Sequence, residues 1–372
     1  MFAASRALPF ALALLAGCND KGAVDAAPTA NVVSSAAPPV LVLHEELSTP
    51  FAFDLVLAPD GAALVWAARD GTIRTQLLGA SGGRRGPPSV VAQSAGVREL
   101  SAASRADRLG VAWLADGGGG ATLHAALGDA ASGTFGPAAV LDDADVALRN
   151  AHGYVVAATA EDGRLLVFYR AKTEPCTDKP ALRCARFGFR ELDVGGPRVR
   201  GLPLSVPLAC DVGLGGYAVA GERWYYAVCS QQTGTPTTTI FSVQPEPMYA
   251  SAVDTLAGCT PLGMGRLGGD VIFAGRCGGE RRGVRLRGVG EEPQPLSLDV
   301  GLQCKADSLL LVAGTSSGWS HRVAAPADRL ELVLPADIAP DGARALWTGH
   351  ALLVARAVGP VLELRRGCPP GT

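Results

Sequence analysis

The sequence predicts an all-β fold assembled from a short repeat, and three observations carry that expectation. The 372 residues are 48% hydrophobic yet include 47 glycines and 26 prolines, so ample apolar mass for a core is divided by many turn formers. A turn residue followed by an alternating apolar run recurs along the chain, with copies roughly 48 residues apart. Helical periodicity is absent beyond the N-terminal apolar stretch.

The repeat is clearest in Asp60-Gly61-Ala62-Ala63-Leu64-Val65-Trp66, Asp107-Arg108-Leu109-Gly110-Val111-Ala112-Trp113 and Asp162-Gly163-Arg164-Leu165-Leu166-Val167-Phe168, which align without gaps. Looser copies follow at residues 222–228, 270–273, 307–312 and 349–354. Apolar strands flank each copy, such as residues 53–57 before the first and 72–78 after it. In residues 283–287, Val284 and Leu286 share one face while Arg285 and Arg287 share the other, the period-two pattern of a half-buried outer strand. The spacing suits a four-stranded propeller blade, and seven copies predict a seven-bladed β-propeller over residues 40–368. Three strands are visible at the last copy, at residues 343–347, 351–354 and 361–365. Residues 40–45 are expected to supply the fourth, in a manner that resembles the strand-exchange closure of β-propeller proteins and removes an exposed edge. No Gly-His and Trp-Asp pair and no Ser-x-Asp-x-Gly-x-x-Trp box identifies a particular propeller family. A six- or eight-bladed ring, or tandem β-sandwiches divided near residues 175–180, are the alternatives. Residues 369–372 form a short tail.

Ahead of this domain, residues 1–6 carry one positive charge, Arg6, and residues 7–16 are apolar but too short to span a bilayer as a helix. The run ends in Leu15-Ala16-Gly17-Cys18, which resembles the lipobox of bacterial lipoproteins. That resemblance implies that residues 1–17 are a cleaved signal peptide and that Cys18 carries a diacylglyceryl group and an added acyl chain such as palmitate. Two or three chains hold a protein stably where one does not, at about 0.8 kcal/mol per buried methylene. Asn19, rather than an aspartate, follows the cysteine, which the resemblance connects with the outer membrane. Residues 18–39 are rich in Ala, Pro, Ser and Val and read as a lipidated flexible tether with a reach of about 25 Å.

Besides Cys18 the chain has Cys176, Cys184, Cys210, Cys229, Cys259, Cys277, Cys304 and Cys368, an even set expected to form disulfides in an exported protein. Cys210 with Cys229, and Cys259 with Cys277, fall where a blade's first strand begins and its second ends, so each pair is expected to bridge within a blade. Cys176 and Cys184 bracket a hydrophilic loop and make a local staple. Cys304 and Cys368 are left for each other by elimination alone. With no C-x-x-C pair, zinc and thioredoxin-like chemistry lack a motif.

Candidate chemistry is sparse. His44, His124, His152, His321 and His350 show no metal-ligand spacing, and no metal or cofactor is expected. Gly263-Met264-Gly265-Arg266-Leu267-Gly268 matches the dinucleotide fingerprint literally but leads into a strand rather than a helix. Residues 117–120 read as a hairpin loop. Asp142, Asp143 and Asp145 read as a solvated turn rather than a calcium loop. Arg84-Arg85, Arg281-Arg282 and Arg365-Arg366 read as solvated faces. Trp319 and His321 form the one aromatic and imidazole pair suited to a sugar or peptide ligand.

A formal net charge of −2 gives no long-range field for nucleic acid or an anionic bilayer, and no nucleotide motif survives. The expected function is a cell-envelope lipoprotein, attached to membrane through Cys18, whose propeller is a non-catalytic binding or scaffolding module for an envelope protein or glycan. A glycoside hydrolase or lyase on the same scaffold is the alternative, and it requires carboxylates, or an acid with arginines, converging at the central face.

Overall fold

The computed structural model describes residues 40–366 outside the stretches 51, 118–119, 147–155, 162, 171–173, 177–179, 182, 208–213, 221–222, 231–234, 245–248, 268–269, 287–291, 298–299, 306–307, 314–320, 323–329, 334–342 and 349. Among these residues every regular element is a strand, and all strand pairs are antiparallel. The signal, lipobox and tether expected at residues 1–39, and the tail at 369–372, lie outside the described residues.

Strand β1 (Val40–Glu46) opens the described chain. A four-stranded sheet follows: β2 (Phe53–Ala58), β3 (Gly61–Ala67), β4 (Thr72–Gly79) and β5 (Ser89–Gln93). The second sheet repeats that order with β6 (Val97–Arg105), β7 (Arg108–Gly117), β8 (Gly120–Asp129) and β9 (Ala139–Val146). The third holds β10 (Val156–Glu161), β11 (Arg164–Arg170), the two-residue β12 (Glu174–Pro175), β13 (Arg183–Asp193) and β14 (Gly196–Pro207). The fourth is β15 (Leu214–Ala220), β16 (Arg223–Ser230), β17 (Thr237–Gln244) and β18 (Tyr249–Ala257). Next come β19 (Cys259–Leu267), β20 (Asp270–Cys277), β21 (Glu280–Leu286) and β22 (Gln294–Ser297), and then a three-stranded sheet of β23 (Val300–Lys305), β24 (Ser308–Ala313) and β25 (His321–Arg322). The last strands are β26 (Leu330–Val333), β27 (Ala343–Trp347), β28 (Leu352–Val358) and β29 (Val361–Arg366).

The apolar runs of all seven sequence copies fall on one kind of strand, the second of each set: β3, β7, β11, β16, β20, β24 and β28. Strand β1 pairs with β29 from Val40 opposite Arg366 to Glu46 opposite Val361, so the start of the described chain completes the set formed by its end. Strand β26 departs from a simple repeat. It hydrogen-bonds to β19 through Gly265–Leu332 and to β27 through Leu330–Trp347, and it fuses the two sets into one nine-stranded sheet. Backbone groups that separate four-stranded sheets would leave along those edges are thereby satisfied.

The core lies between successive sheets. In β3, Leu64 and Trp66 pack toward Leu353, Ala355, Leu362 and Leu364 of the last sheet, whereas Val65 and Ala67 pack toward Leu100, Val111 and Trp113 of the second. A strand with a neighbour on each face has no solvated side, and all of Gly61–Ala67 is buried. Trp66 loses water from a ring of about 200 Å², worth roughly 5 kcal/mol, and this outweighs the cost of about 1–3 kcal/mol for its buried Nε1, which lacks an acceptor among the described residues. Trp113, at the same repeat position, donates its Nε1 to Ser94 Oγ at 3.0 Å and stacks on His124 at 5.5 Å.

Two sequence expectations change here. The gap-free alignment of the third copy is one residue out. The pairs Ala58–Gly61, Arg105–Arg108 and Glu161–Arg164 close the three hairpins, which makes Tyr169, not Phe168, the structural counterpart of Trp66 and Trp113. A one-residue slip exchanges faces: Tyr169 packs on the second sheet, and Phe168 turns to Tyr226 of the fourth at 4.5 Å between ring centroids. Residues 283–287 were expected in an outer strand, but β21 lies between β20 and β22; Arg285 is accommodated because it pairs with Asp270.

The first strands of neighbouring sets lie side by side, β2 with β6, β6 with β10, β10 with β15, β15 with β19, and β2 with β27. At their junction sits a buried ion pair. Asp54 Oδ1 on β2 accepts from Arg344 Nε on β27 at 3.0 Å, and Asp54 Oδ2 accepts from the Ala102 amide on β6 at 2.9 Å. The side chains are 4% and 8% exposed, so removal of one partner strands a charge in low dielectric.

Arg344→Met is therefore expected to destabilise the fold by about 3–5 kcal/mol in urea unfolding, and Asp54→Asn in the same chain to recover part of that loss. A second expectation concerns pH. Burial pushes the His124 imidazole below its ordinary value of 6.5, so the unfolded chain binds the proton more readily and stability is lost as pH falls below about 6.5. The urea midpoint should drop between about pH 7 and about pH 5, and His124→Phe should flatten that portion of the curve.

Candidate functional site

The cysteine-bearing hairpins are the best-defined of the predicted site features. Cys259 opens β19 and Cys277 closes β20; they face each other in the strand register, with Cα atoms 4.0 Å apart, and form a disulfide. Cys176 and Cys184 form a second, with Cα atoms 5.0 Å apart, at the short β12–β13 pairing. Cys229, near the end of β16, is also disulfide-bonded, while Cys210, its expected partner, lies outside the described residues. Cys304 lies in β23 opposite Leu309; Cys368 lies outside the described residues.

The lipobox residues Leu15, Ala16, Gly17 and Cys18 and the aromatic Trp319 also lie outside them. His321 is placed in β25, opposite Leu311 of β24. The fingerprint-like run at 263–268 enters a strand as expected, since residues 263–267 pair with β20. Gly117 pairs with Gly120 at the tip of β7 and β8.

Asp142 corrects the expectation of a solvated turn. It lies in β9 with a side chain 9% exposed, accepts from the Tyr169 hydroxyl at 2.7 Å and is paired with Arg190 of the third sheet. The Arg190 guanidinium also lies 5.2 Å from the Tyr169 ring centroid. This group ties the second sheet to the third and leaves no solvated carboxylate for calcium at Asp142. Among the described residues no cluster of three or more His, Cys, Asp or Glu side chains is arranged to hold a metal.

Sequence reasoning missed the concavity that the fold builds where the first and last sheets meet. The β2–β3 turn brings Pro59, Asp60 and Gly61, and the segment joining β27 to β28 brings Thr348 and His350. With Leu57, Ala58 and Ala80 they line an open cleft of about 320 Å³. Gly61 is required at this turn: its φ is +150°, and a Cβ would meet the Leu78 carbonyl oxygen at 2.3 Å. Thr348 Oγ1 donates to the Ala80 carbonyl at 2.5 Å and accepts from the Ala351 amide at 3.0 Å, which ties the β27–β28 segment to the loop after β4. Asp60 accepts from Arg85 at 3.2 Å, and both side chains remain solvated. The cleft thus offers a carboxylate and an exposed imidazole, a set suited to hydrogen-bonding a polar ligand. The Asp60-Gly61 turn was visible as a repeat landmark; His350, 290 positions away, carried no signal that linked it to Asp60.

Replacing both Cys259 and Cys277 by Ser should lower stability by about 3 kcal/mol through release of the closed loop, read as a shift in urea midpoint. A thiol reductant should destabilise the wild type further, because Cys176–Cys184 opens as well.

No protein-family model matches the chain, and no curated protein matches its sequence. Among solved structures it is similar to a nidogen/laminin complex, with a TM-score of 0.35 and 13% identity over 66% of this chain and 79% of that one. It is also similar to hydrazine synthase of Kuenenia stuttgartiensis, with a TM-score of 0.38 and 9% identity over 85% of this chain and 80% of that one.

Proposed function

We propose that this chain is a lipid-anchored cell-envelope protein whose strands form a seven-bladed β-propeller acting as a non-catalytic binding or scaffolding module. The pairing of β1 with β29 carries the reading. It fastens the two ends of the folded region together, which a ring of repeats requires, and it sets the start of that region on an edge strand, where a tether can depart without crossing the core. Seven repeat runs on seven second strands agree with seven blades. In this reading β23–β25 belong to the sixth blade and β27–β29 with β1 make the seventh.

Disulfides at Cys176–Cys184 and Cys259–Cys277 agree with maturation outside the cytoplasm. Leu15-Ala16-Gly17-Cys18 supplies the anchor and Asn19 the outer-membrane address, on the lipoprotein resemblance. Attachment holds the module at the membrane surface, where turn-built concavities such as the Asp60–His350 cleft can meet an envelope protein or glycan.

Cys18→Ser is expected to move the protein from the membrane fraction to the soluble fraction and to abolish incorporation of labelled palmitate. Recovery of the wild-type chain from the cytosol with residues 1–17 uncut and its thiols reduced defeats the proposal.

A further inference from the structure

We infer that the face around the start of β1 is a contact surface for anionic phospholipid, with Arg84 and Arg366 engaging headgroup phosphates. The inference rests on the lipid-anchor reading for the membrane that this face meets.

Three observations place these side chains together. Val40 pairs with Arg366 and Leu41 with Arg365 at the end of β29. From the neighbouring sheet, the loop after β4 reaches across so that Arg84 Nε donates to the Val42 carbonyl at 2.8 Å, while Arg366 Nη1 donates back to the Ser81 carbonyl at 3.4 Å. The loop fits there because residue 82 is glycine: its φ is +80°, and a Cβ would lie 2.6 Å from Leu353 Cδ2 and 3.2 Å from Arg366 Cδ.

The chemistry of the face follows from what each arginine touches. Among the described residues Arg85 is matched by Asp60 and Arg365 by Glu363, whereas Arg84 and Arg366 donate to neutral carbonyl oxygens. A guanidinium has five N–H donors, so one fixed by a carbonyl retains others for a phosphate. Both side chains are exposed, so the remaining donors are open to a phosphate.

The position of the face in the chain points the same way. Val40 comes only twenty-two residues after Cys18, a span with a root-mean-square reach of about 25 Å, so the end of the described fold nearest the anchor in sequence is the end that carries these two arginines. The overall charge of −2 does not oppose this, because at contact the charges within about 8 Å decide the interaction.

The test uses the full chain carrying Cys18→Ser, sedimented with phosphatidylglycerol vesicles and with phosphatidylcholine vesicles. The ratio of the two partition coefficients cancels any composition-independent attachment through the N-terminal segment. A preference for phosphatidylglycerol of more than tenfold is expected, at roughly fivefold per arginine. It should fall to near unity in Arg84→Gln/Arg366→Gln, survive in Arg84→Lys/Arg366→Lys, and disappear at high salt in the parent.

A ratio near one in the parent overturns the inference and leaves the anchor standing. Membrane retention of Cys18→Ser in cells, together with a preserved vesicle preference, overturns the anchor and leaves the surface. Competition by inorganic phosphate beyond a salt-matched control means a free-phosphate site and overturns the membrane assignment. Should the glutamine variants fail to fold, the lysine pair and the salt response decide the matter.

Discussion

The buried pair of Asp54 and Arg344 is the constraint on which the arrangement of the sheets depends. One carboxylate receives a guanidinium from the last sheet and a backbone amide from the second, so the first strands of three sets are held at one point. Apolar packing alone is tolerant of sliding between sheets, whereas a buried ion pair is satisfied in one geometry and is severely penalised in others. The Arg344 guanidinium also lies 5.7 Å from the Phe53 ring centroid, so the charge and the local apolar packing share the same geometry.

Around that point, burial on both faces of each middle strand sets the character of the core. Leu64 and Trp66 on one face of β3, and Val65 and Ala67 on the other, belong to different apolar clusters, so the first sheet joins both the last and the second. Polar ties reinforce the joins where outer strands are exposed. Asp142 with Tyr169 and Arg190 links the second sheet to the third, and Thr348 with Ala80 links the last to the first. Disulfides add covalent closure to hairpins in the third and fifth sets.

Function, on the reading proposed, follows from this construction and from the short apolar leader. A rigid repeat scaffold presents turns rather than strands to its surroundings, and the described concavity is built from two such turns. The same junction of first and last sheets carries Arg84 and Arg366. One seam thus joins the ends of the described region and forms the cleft.

Strand identity and repeat number in the first three copies were legible because alternation and turn residues are local signals. The closing strand at 40–45 was legible from an apparent vacancy in the last copy. Two disulfide pairings could be read because hairpin geometry places the ends of adjacent strands opposite each other. The register of the third copy was hidden: Asp162 matches Asp60 in type, but its hairpin closes one residue differently, and only cross-strand pairing reveals which face Phe168 takes. The Asp60–His350 cleft and the Asp54–Arg344 pair were hidden for a different reason, since nothing local marks two residues 290 positions apart as neighbours.

By itself, then, the amino-acid sequence determined the β class, the positions of most strands and the residues that pair within hairpins, because those depend on interactions over a few residues. Tertiary structure alone decided which sheets touch, which charged groups are buried, how β26 bridges β19 and β27, and where a cleft opens. Those outcomes depend on bringing distant strands together, and the free energy that selects among them comes from contacts that do not exist until the chain has closed.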